Sequence, residues 1–340
     1  MQQYLNCNLE QCLTSSKIQT RSLGSGSFGS CYLEFIPCPP HLTAAVAATG
    51  HPEYVTRGIP IVTKILLRSG TSLAKVEAEA AACFALSSSK RLPRLYNYLH
   101  GQDFSVLVFE AVSASPQNLS QRVHACAAVA DGPQHVPLPE ILSTTEDVVR
   151  GLDDMHQRGW CHLDVKPANI VVANERAYLV DLGISSQVGK QLRGARPGTK
   201  GFKDPQIEFC SDRGLDLQVQ GAFDFWSAGI VLVYMLARGK RDVVVRVSEL
   251  AAGFTYDMGH YKRLEMRELL CPEVSAVVEA YEQQLQQQGA LRQGGKLLGV
   301  HEGLMRLVEG MLQPKQRWSA RVILKNVGQL RKRVEMATTR

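Results

Sequence analysis

No apolar run in this chain approaches a membrane span. The longest, Gly229–Ala237, is nine residues, against roughly 20 needed to cross a bilayer. The N-terminus, MQQYLNCNLEQCLTSSK, lacks a basic start followed by an apolar stretch, so no secretory signal is expected. The nine cysteines, at 7, 12, 31, 38, 83, 126, 161, 210 and 271, form no C-x-x-C pair, and no histidine stands at the spacing of a zinc site. Their odd number and apolar settings point to reduced, mostly buried thiols in a cytosol-like compartment, not to disulfides or metal. Neither charge dominates: 38 Lys and Arg against 32 Asp and Glu leave a net +6. Spread along the chain, that excess is too weak to argue for a nucleic-acid partner. No internal repeat at a fixed period occurs. What is left is an ordinary globular composition, 45% hydrophobic and 21% charged over 340 residues, enough for two lobes or domains of roughly 100–200 residues each. A cytoplasmic or nuclear protein, neither secreted nor membrane-spanning, is expected.

Residues 18–36 read as strand, Gly-rich turn, strand. A Pro- and Gly-rich break over 37–60 is longer than an ordinary hairpin connection and reads as a surface insertion. Ile61 to Leu67 reads as a strand, Ser72 to Leu86 as an Ala- and Glu-rich helix, and Phe104 to Glu110 as a buried strand before a Ser/Pro-containing linker at 111–117. Beyond it the pattern is mostly helical, apart from a strand and turn region at 160–184. Gly, Pro and basic residues dominate 189–205, and Gln-rich 280–295 reads as a solvated helix or loop. A small strand-rich part thus meets a larger helical part near residue 112.

Four short motifs carry chemistry. Gly24-Ser-Gly26-Ser-Phe28-Gly29 sits between two strands, where glycines let the backbone approach phosphates and aim N–H groups at them. A strand follows the last glycine where a dinucleotide fold needs a helix, which disfavours NAD or FAD. Forty residues after Gly24, Lys64 lies in an apolar strand, on the same face as Val62. A strand lysine usually points to solvent; one turned inward needs a counter-charge. The next helix offers Glu79, preferred because Cys83 and Leu86 give it a core-facing stripe, with Glu77 as the alternative. Then come His162-Leu-Asp164-Val-Lys166-Pro-Ala-Asn169 and, across a hairpin, Asp181-Leu-Gly183. Phosphoryl transfer needs a base near an attacking hydroxyl, a cation on the moving phosphoryl group and oxygen ligands for Mg²⁺. Asp164, Lys166, Asn169 and Asp181 supply those types; His162 reads as a packed structural residue.

In this order and spacing the motifs resemble the eukaryotic-type Ser/Thr protein kinase family over roughly residues 18–330. The resemblance implies an α+β, two-lobed protein-kinase-like fold with ATP in the cleft. Its N-lobe (18–110, with the insertion 37–60) is a small antiparallel β-sheet with one helix. A hinge (110–117) leads to a larger, mainly helical C-lobe (118–330). An N-terminal extension (1–17) and a C-terminal tail (331–340) flank the domain. By position the family's roles fall as follows. Gly24, Gly26, Phe28 and Gly29 cover the phosphates, and Lys64, paired to Glu79, holds the α- and β-phosphates. Cys31 and Val62 face adenine where Val and Ala are usual. Phe109 is the gatekeeper, Glu110 to Val112 bind adenine at the hinge, and Asn118 stands at the ribose position. Asp164 takes or orients the acceptor hydroxyl, Lys166 steadies the γ-phosphate, and Asn169 and Asp181 hold Mg²⁺. Asp224 braces the catalytic loop from below, and Arg317 is the domain's C-terminal anchor. Lys166 together with Thr199 looks like the Ser/Thr branch, so protein substrates with Ser/Thr acceptors are expected. No nucleic-acid or membrane partner is expected, and any regulatory partner is left open.

Several positions depart from the family. Leu163 replaces the Arg that normally pairs with a phosphorylated residue of the activation segment, and no Ser, Thr or Tyr occurs from Gln187 to Gly198. Activation-loop phosphorylation is therefore expected to be dispensable. Gln206 stands where a Glu usually pairs with Arg317, so a weakened latch and a stabilising Gln206→Glu change are expected. Leu182 replaces Phe after Asp181. The activation segment is basic, with Lys190, Arg193, Arg196, Lys200 and Lys203, which favours acidic or neutral substrates. The departures and the insertion resemble divergent kinases encoded by large DNA viruses. The competing readings are a pseudokinase-type nucleotide-binding scaffold and, less favoured, a small-molecule phosphotransferase.

Overall fold

The structure is a computed structural model that describes residues 19–26, 29–38, 43–44, 53–128, 135–194, 197–252, 259–291, 297, 299–313 and 317–338. Contacts divide it into two compact units, Met1–Pro116 and Gln117–Arg340.

The first unit is a five-stranded antiparallel sheet in the order β1-β2-β3-β5-β4. Its strands are β1 (Gln19–Gly26), β2 (Gly29–Ile36), β3 (Ile59–Leu67), β4 (Leu95–His100) and β5 (Phe104–Glu110). A short helix α1 (Glu53–Arg57) precedes β3, and α2 (Leu73–Ala85) follows it. Strand alternation separates the two faces of the sheet. Ile36, Ile59, Ile61, Val106 and Val108 gather on one face with Tyr96, and Tyr54 and Val55 of α1 pack against them. The end of the insertion is thus a lid over this apolar face, and β3 begins two residues earlier than the sequence pattern implied. The Pro60 ring sits within the second position of that strand.

The second unit opens with β6 (Gln117–Asn118), α3 (Leu119–Ala127) and α4 (Leu138–Gln157), then β7 (Trp160–Cys161). The hairpin β8 (Ile170–Ala173) and β9 (Arg176–Leu179) follows. Its two linking residues, Asn174 and Glu175, have φ 50° and 59°. Positive φ at both positions gives the tight turn whose twist suits a two-residue hairpin. Next are β10 (Ser186–Gln187), β11 (Gln191–Leu192), α5 (Pro205–Asp212), β12 (Leu217–Gln218), α6 (Ala222–Leu236), α7 (Arg241–Ala252), α8 (Gly259–Gln287), α9 (Val300–Met311) and α10 (Ala320–Ala337). Helix α6 is buried on every side from Phe223 to Leu236, as a helix apolar all round must be. It forms the centre of this unit, with α4, α7 and α9 around it and α10 lying on α4. Among the described residues no helix is long and apolar enough to cross a membrane.

Candidate active site

Within the first unit, Cys31, Lys64 and Leu107 form one cross-strand row, and Leu33, Val62 and Phe109 form the next row on the same face. Lys64 is 5% exposed, and its Nζ donates to Glu79 Oε1 at 2.7 Å. Glu77 is exposed, so of the two carboxylates it is Glu79 that reaches the lysine. The helical repeat turns Glu79, Cys83 and Leu86 inward together. Gly26 pairs with Gly29 at the end of the β1–β2 hairpin, and Gly24 lies at a register shift; Phe28 falls outside the described residues. Gly29 has φ 145°, and a Cβ there would sit 2.3 Å from the Ile65 carbonyl oxygen. Only glycine permits that approach of the hairpin end to β3. Glu110 and half-buried Val112 lie at the end of β5 and just beyond it. The Glu110 carboxylate is held by the Arg94 guanidinium at 3.3 Å.

In the second unit four side chains converge. Asp164 Oδ2 accepts from Lys166 Nζ at 2.8 Å and from Asn169 Nδ2 at 3.1 Å, and its Oδ1 accepts from the Thr199 hydroxyl at 2.7 Å. Lys166 Nζ also donates to Thr199 Oγ1 at 2.8 Å. Lys166 and Asn169 are held by a single turn of 3-10 helix over Pro167–Asn169. Thr199 arrives from 35 residues downstream because Gly198, at φ 93°, lets its backbone press against the Leu163 carbonyl. A Cβ at Gly198 would lie 2.8 Å from that oxygen. Asp181 stands at the open end of the β8–β9 hairpin, where the Val180 N–H donates to Asn169 O at 3.0 Å. The ladder thus pairs Asn169 with Val180, the residue before Asp181. Asp181 has φ 67° and accepts from the Gly183 N–H at 3.4 Å.

Asn118 plays a local part. Its Oδ1 accepts from the Gln121 N–H at 2.9 Å, and Gln121 Oε1 accepts from the Asn118 N–H at 3.0 Å. This reciprocal cap starts α3, so the side-chain oxygen expected at a ribose is engaged at a helix end.

Asp224, fully buried on α6, braces the loop that carries Asp164. Its carboxylate accepts from the backbone N–H groups of His162 and Leu163 and from His156 Nε2, each at 2.8 Å. His162 accepts from the Asp164 N–H through Nδ1 at 3.2 Å, so its Nε2 carries the proton and donates to Val180 O at 3.1 Å. The ring thereby ties the Asp164 loop to the residue before Asp181. Sequence reasoning placed His162 as structural but missed His156, whose partner is 68 positions away. His156, Cys161 and Asp224 bring potential ligand atoms within 4.8 Å of one another. The Asp224 oxygens already accept three hydrogen bonds, and burial, reinforced by the Asp224 charge, pushes the Cys161 thiol up. The hydrogen bonds of His156 and Asp224 make this trio a brace beneath the Asp164 loop.

Burial works to raise the Asp224 carboxyl, but the His156 hydrogen bond and charge, His162 and the Leu163 N–H together hold it below the ordinary carboxylate value. A carboxyl with a lower pKa folded than unfolded adds stability above its unfolded pKa of about 3.9, and that stability is lost as pH falls through the folded value. Asp224→Asn is therefore expected to flatten the acid limb of the stability curve by up to about one proton below pH 4. Urea titrations at a series of pH values measure this; an unchanged slope would contradict the assignment.

The C-terminal anchor differs from the sequence expectation. Arg317 meets Asp204 Oδ2 at 2.6 Å, both side chains being nearly fully buried, while Gln206 is exposed. Asp204 also caps α5, accepting from the Gln206 N–H at 2.8 Å. The negative charge sits two residues earlier than the Glu it replaces. The latch is therefore intact, and the reasoning that Gln206 weakens it does not hold.

Comparison with known proteins gives the family. Residues 56–327 match the model of the protein kinase domain family. The chain belongs to the protein kinase family. It is 26% identical over 198 residues to the serine/threonine-protein kinase/endoribonuclease IRE1 of Oryza sativa subsp. japonica, covering 54% of this chain and 21% of that protein. To the mitogen-activated protein kinase kinase kinase 8 of Rattus norvegicus it is 28% identical over 165 residues, 47% of this chain and 31% of the relative. The serine/threonine-protein kinase Kist of Homo sapiens is 33% identical over 128 residues, 35% of this chain and 30% of Kist. This kinase chain thus spans about a fifth to a third of the length of these relatives. Its fold is that of the family: an antiparallel-sheet unit with the α2 helix, and a larger, mainly helical unit.

Proposed function

We propose that this kinase transfers the γ-phosphate of ATP to Ser or Thr hydroxyls of proteins, with Mg²⁺. The observation that carries the reading is the cluster of Lys166, Asn169 and Thr199 gathered on Asp164 by side-chain hydrogen bonds of 2.7–3.1 Å. An ionised carboxylate has roughly four acceptor sites. Lys166, Asn169 and Thr199 fill three of them, and the fourth, on Oδ1, is where an acceptor hydroxyl is oriented and surrenders its proton. Lys166 keeps a third N–H for the phosphoryl oxygens as charge moves onto them. The residues at the hairpin end fit Mg²⁺, a hard cation that takes oxygen ligands. Asn169 spends its N–H₂ on Asp164, and its side-chain oxygen together with the Asp181 carboxylate would hold the ion. Bound there, Mg²⁺ would supply neutralisation of phosphate charge. In the first unit the Lys64 ammonium, oriented by Glu79, serves the α- and β-phosphates, and the glycine hairpin covers them. Positioning and charge stabilisation do most of the work.

The same reading includes independence from activation-segment phosphorylation. Leu163 is 3% exposed and packs in an apolar cluster with Ile207, Leu217, Val219 and Phe223, against which Leu192 and Ile184 of the segment rest. Two short ladders, β10 with β7 and β11 with β12, hold the segment as well. Apolar contact takes the part that a phosphate–arginine pair plays elsewhere. The test is transfer of label from γ-labelled ATP with Mg²⁺ to a mixed protein pool, followed by phosphoamino-acid analysis, before and after phosphatase treatment. Phosphoserine and phosphothreonine, undiminished by the phosphatase, are expected. Phosphotyrosine alone, or no transfer, would overturn the function; loss of most activity on dephosphorylation would overturn the independence.

A further inference from the structure

We infer that this kinase selects acceptor Ser or Thr residues flanked by acidic side chains, and that Lys200 is the main reader of that charge. The inference rests on the Ser/Thr kinase reading above and names the substrate class of that same site. From Leu182 to Lys203 the chain carries Lys190, Arg193, Arg196, Lys200 and Lys203 and no acidic residue. The first acid beyond, Asp204, is buried on Arg317 and presents no charge to a substrate. Two of the described cations have loose partners: Arg193 lies 3.8 Å from Asp216 and Lys203 lies 3.5 Å from Glu208. Lys190 and Lys200 are exposed, with no ion pair among the described residues.

Lys200 differs from the rest in where it stands. Its neighbour Thr199 donates its hydroxyl to Asp164, and consecutive Cα atoms are about 3.8 Å apart. The Thr199 carbonyl accepts from the N–H groups of both Phe202 and Lys203, at 3.0 and 3.1 Å, so residues 199–203 form one tight turn. That turn is pinned on its other side by Gly198 against Leu163. A long, flexible ammonium is therefore anchored one residue from the threonine that bonds the Asp164 carboxylate. An acidic residue beside the phosphorylated hydroxyl would meet it, and an arginine there would be repelled. Exposed charges of this kind act chiefly on encounter and ground-state binding, are screened by salt, and leave the chemical step alone.

The test uses three peptides with one Ser acceptor, flanked by Asp, by Ala or by Arg, and the full chain as wild type and Lys200→Glu. For wild type, kcat/KM is expected to fall in the order Asp, Ala, Arg. Lys200→Glu should cost about three- to tenfold on the Asp peptide, almost wholly in KM, while the Ala peptide changes by less than about twofold. The wild-type preference should shrink as salt is raised from about 50 to about 500 mM. Efficient transfer with no acidic preference, or with Arg preferred, overturns this inference alone. Transfer to none of the peptides nor to a mixed protein pool overturns the kinase reading and the inference with it.

Discussion

Asp164→Asn is expected to lower phosphoryl transfer by about 10²–10⁴-fold, the usual worth of a positioned proton acceptor. The folded structure should survive. Asparagine keeps the shape of the side chain, and its Oδ1 can still accept from Thr199 or Lys166. What it loses, on the proposed function, is the negative charge that draws the acceptor hydroxyl and the basicity that takes its proton. The loss should therefore appear in kcat, with the KM for ATP nearly unchanged, since nucleotide contacts are assigned to other residues. Single-turnover transfer from labelled ATP, beside a thermal melt of both proteins, separates the two effects. An Asp164→Asn protein that is folded and transfers within a few-fold of wild type would remove Asp164 from the chemistry. Thr199→Val is the companion variant. It deletes the hydroxyl that bridges Asp164 Oδ1 and Lys166 Nζ, and a smaller loss in kcat is expected, because Thr199 positions both groups without itself taking the proton.

The second large effect concerns stability. Asp204→Asn leaves the Arg317 guanidinium buried against a neutral partner, 5.3 Å from the centre of the buried Trp226 ring, with the Ala222 carbonyl as its remaining acceptor. Burial already pushes the Asp204 carboxyl up against the pull of Arg317, so the pair is held in a setting hostile to charge. Removing one member of such a pair costs about 3–5 kcal/mol. The cap on α5 is largely preserved, because Asn caps nearly as well as Asp. Asp204→Asn combined with Arg317→Met should recover part of the loss, since two neutral groups avoid the lone buried charge. Gln206→Glu, in contrast, is expected to change stability by less than about 0.5 kcal/mol, as surface substitutions do. Urea unfolding of the four proteins decides the matter. A strongly stabilising Gln206→Glu with a neutral Asp204→Asn would reverse the assignment.

Local sequence pattern determined most of the elements that carry the candidate site. The glycine hairpin, the strand bearing Lys64, the helix bearing Glu79 and the hairpin between Asn169 and Asp181 follow from periodicity and turn residues acting over a few positions. Their order along the chain carried the resemblance to protein kinases. Strand β4 was not legible, because Leu95 to His100 alternates poorly and its register shifts between Leu95 and Asn97.

Tertiary structure decided the partners. Whether Glu77 or Glu79 meets Lys64 depended on the rotation of α2 about its axis, set by which side packs on the sheet. Arg317 took Asp204, 113 positions away and two before the residue expected. An ion pair is fixed by distance and burial, and the helix cap at Asp204 points that carboxylate inward while Gln206 turns out to solvent. Thr199 reaches Asp164 only because Gly198 can approach Leu163, and Leu163, read in isolation as a missing arginine, became the middle of an apolar cluster. Local rules fix which groups a short segment can present. Only long-range packing fixes which of them meet, because contacts across 30 or more residues leave no period in the sequence.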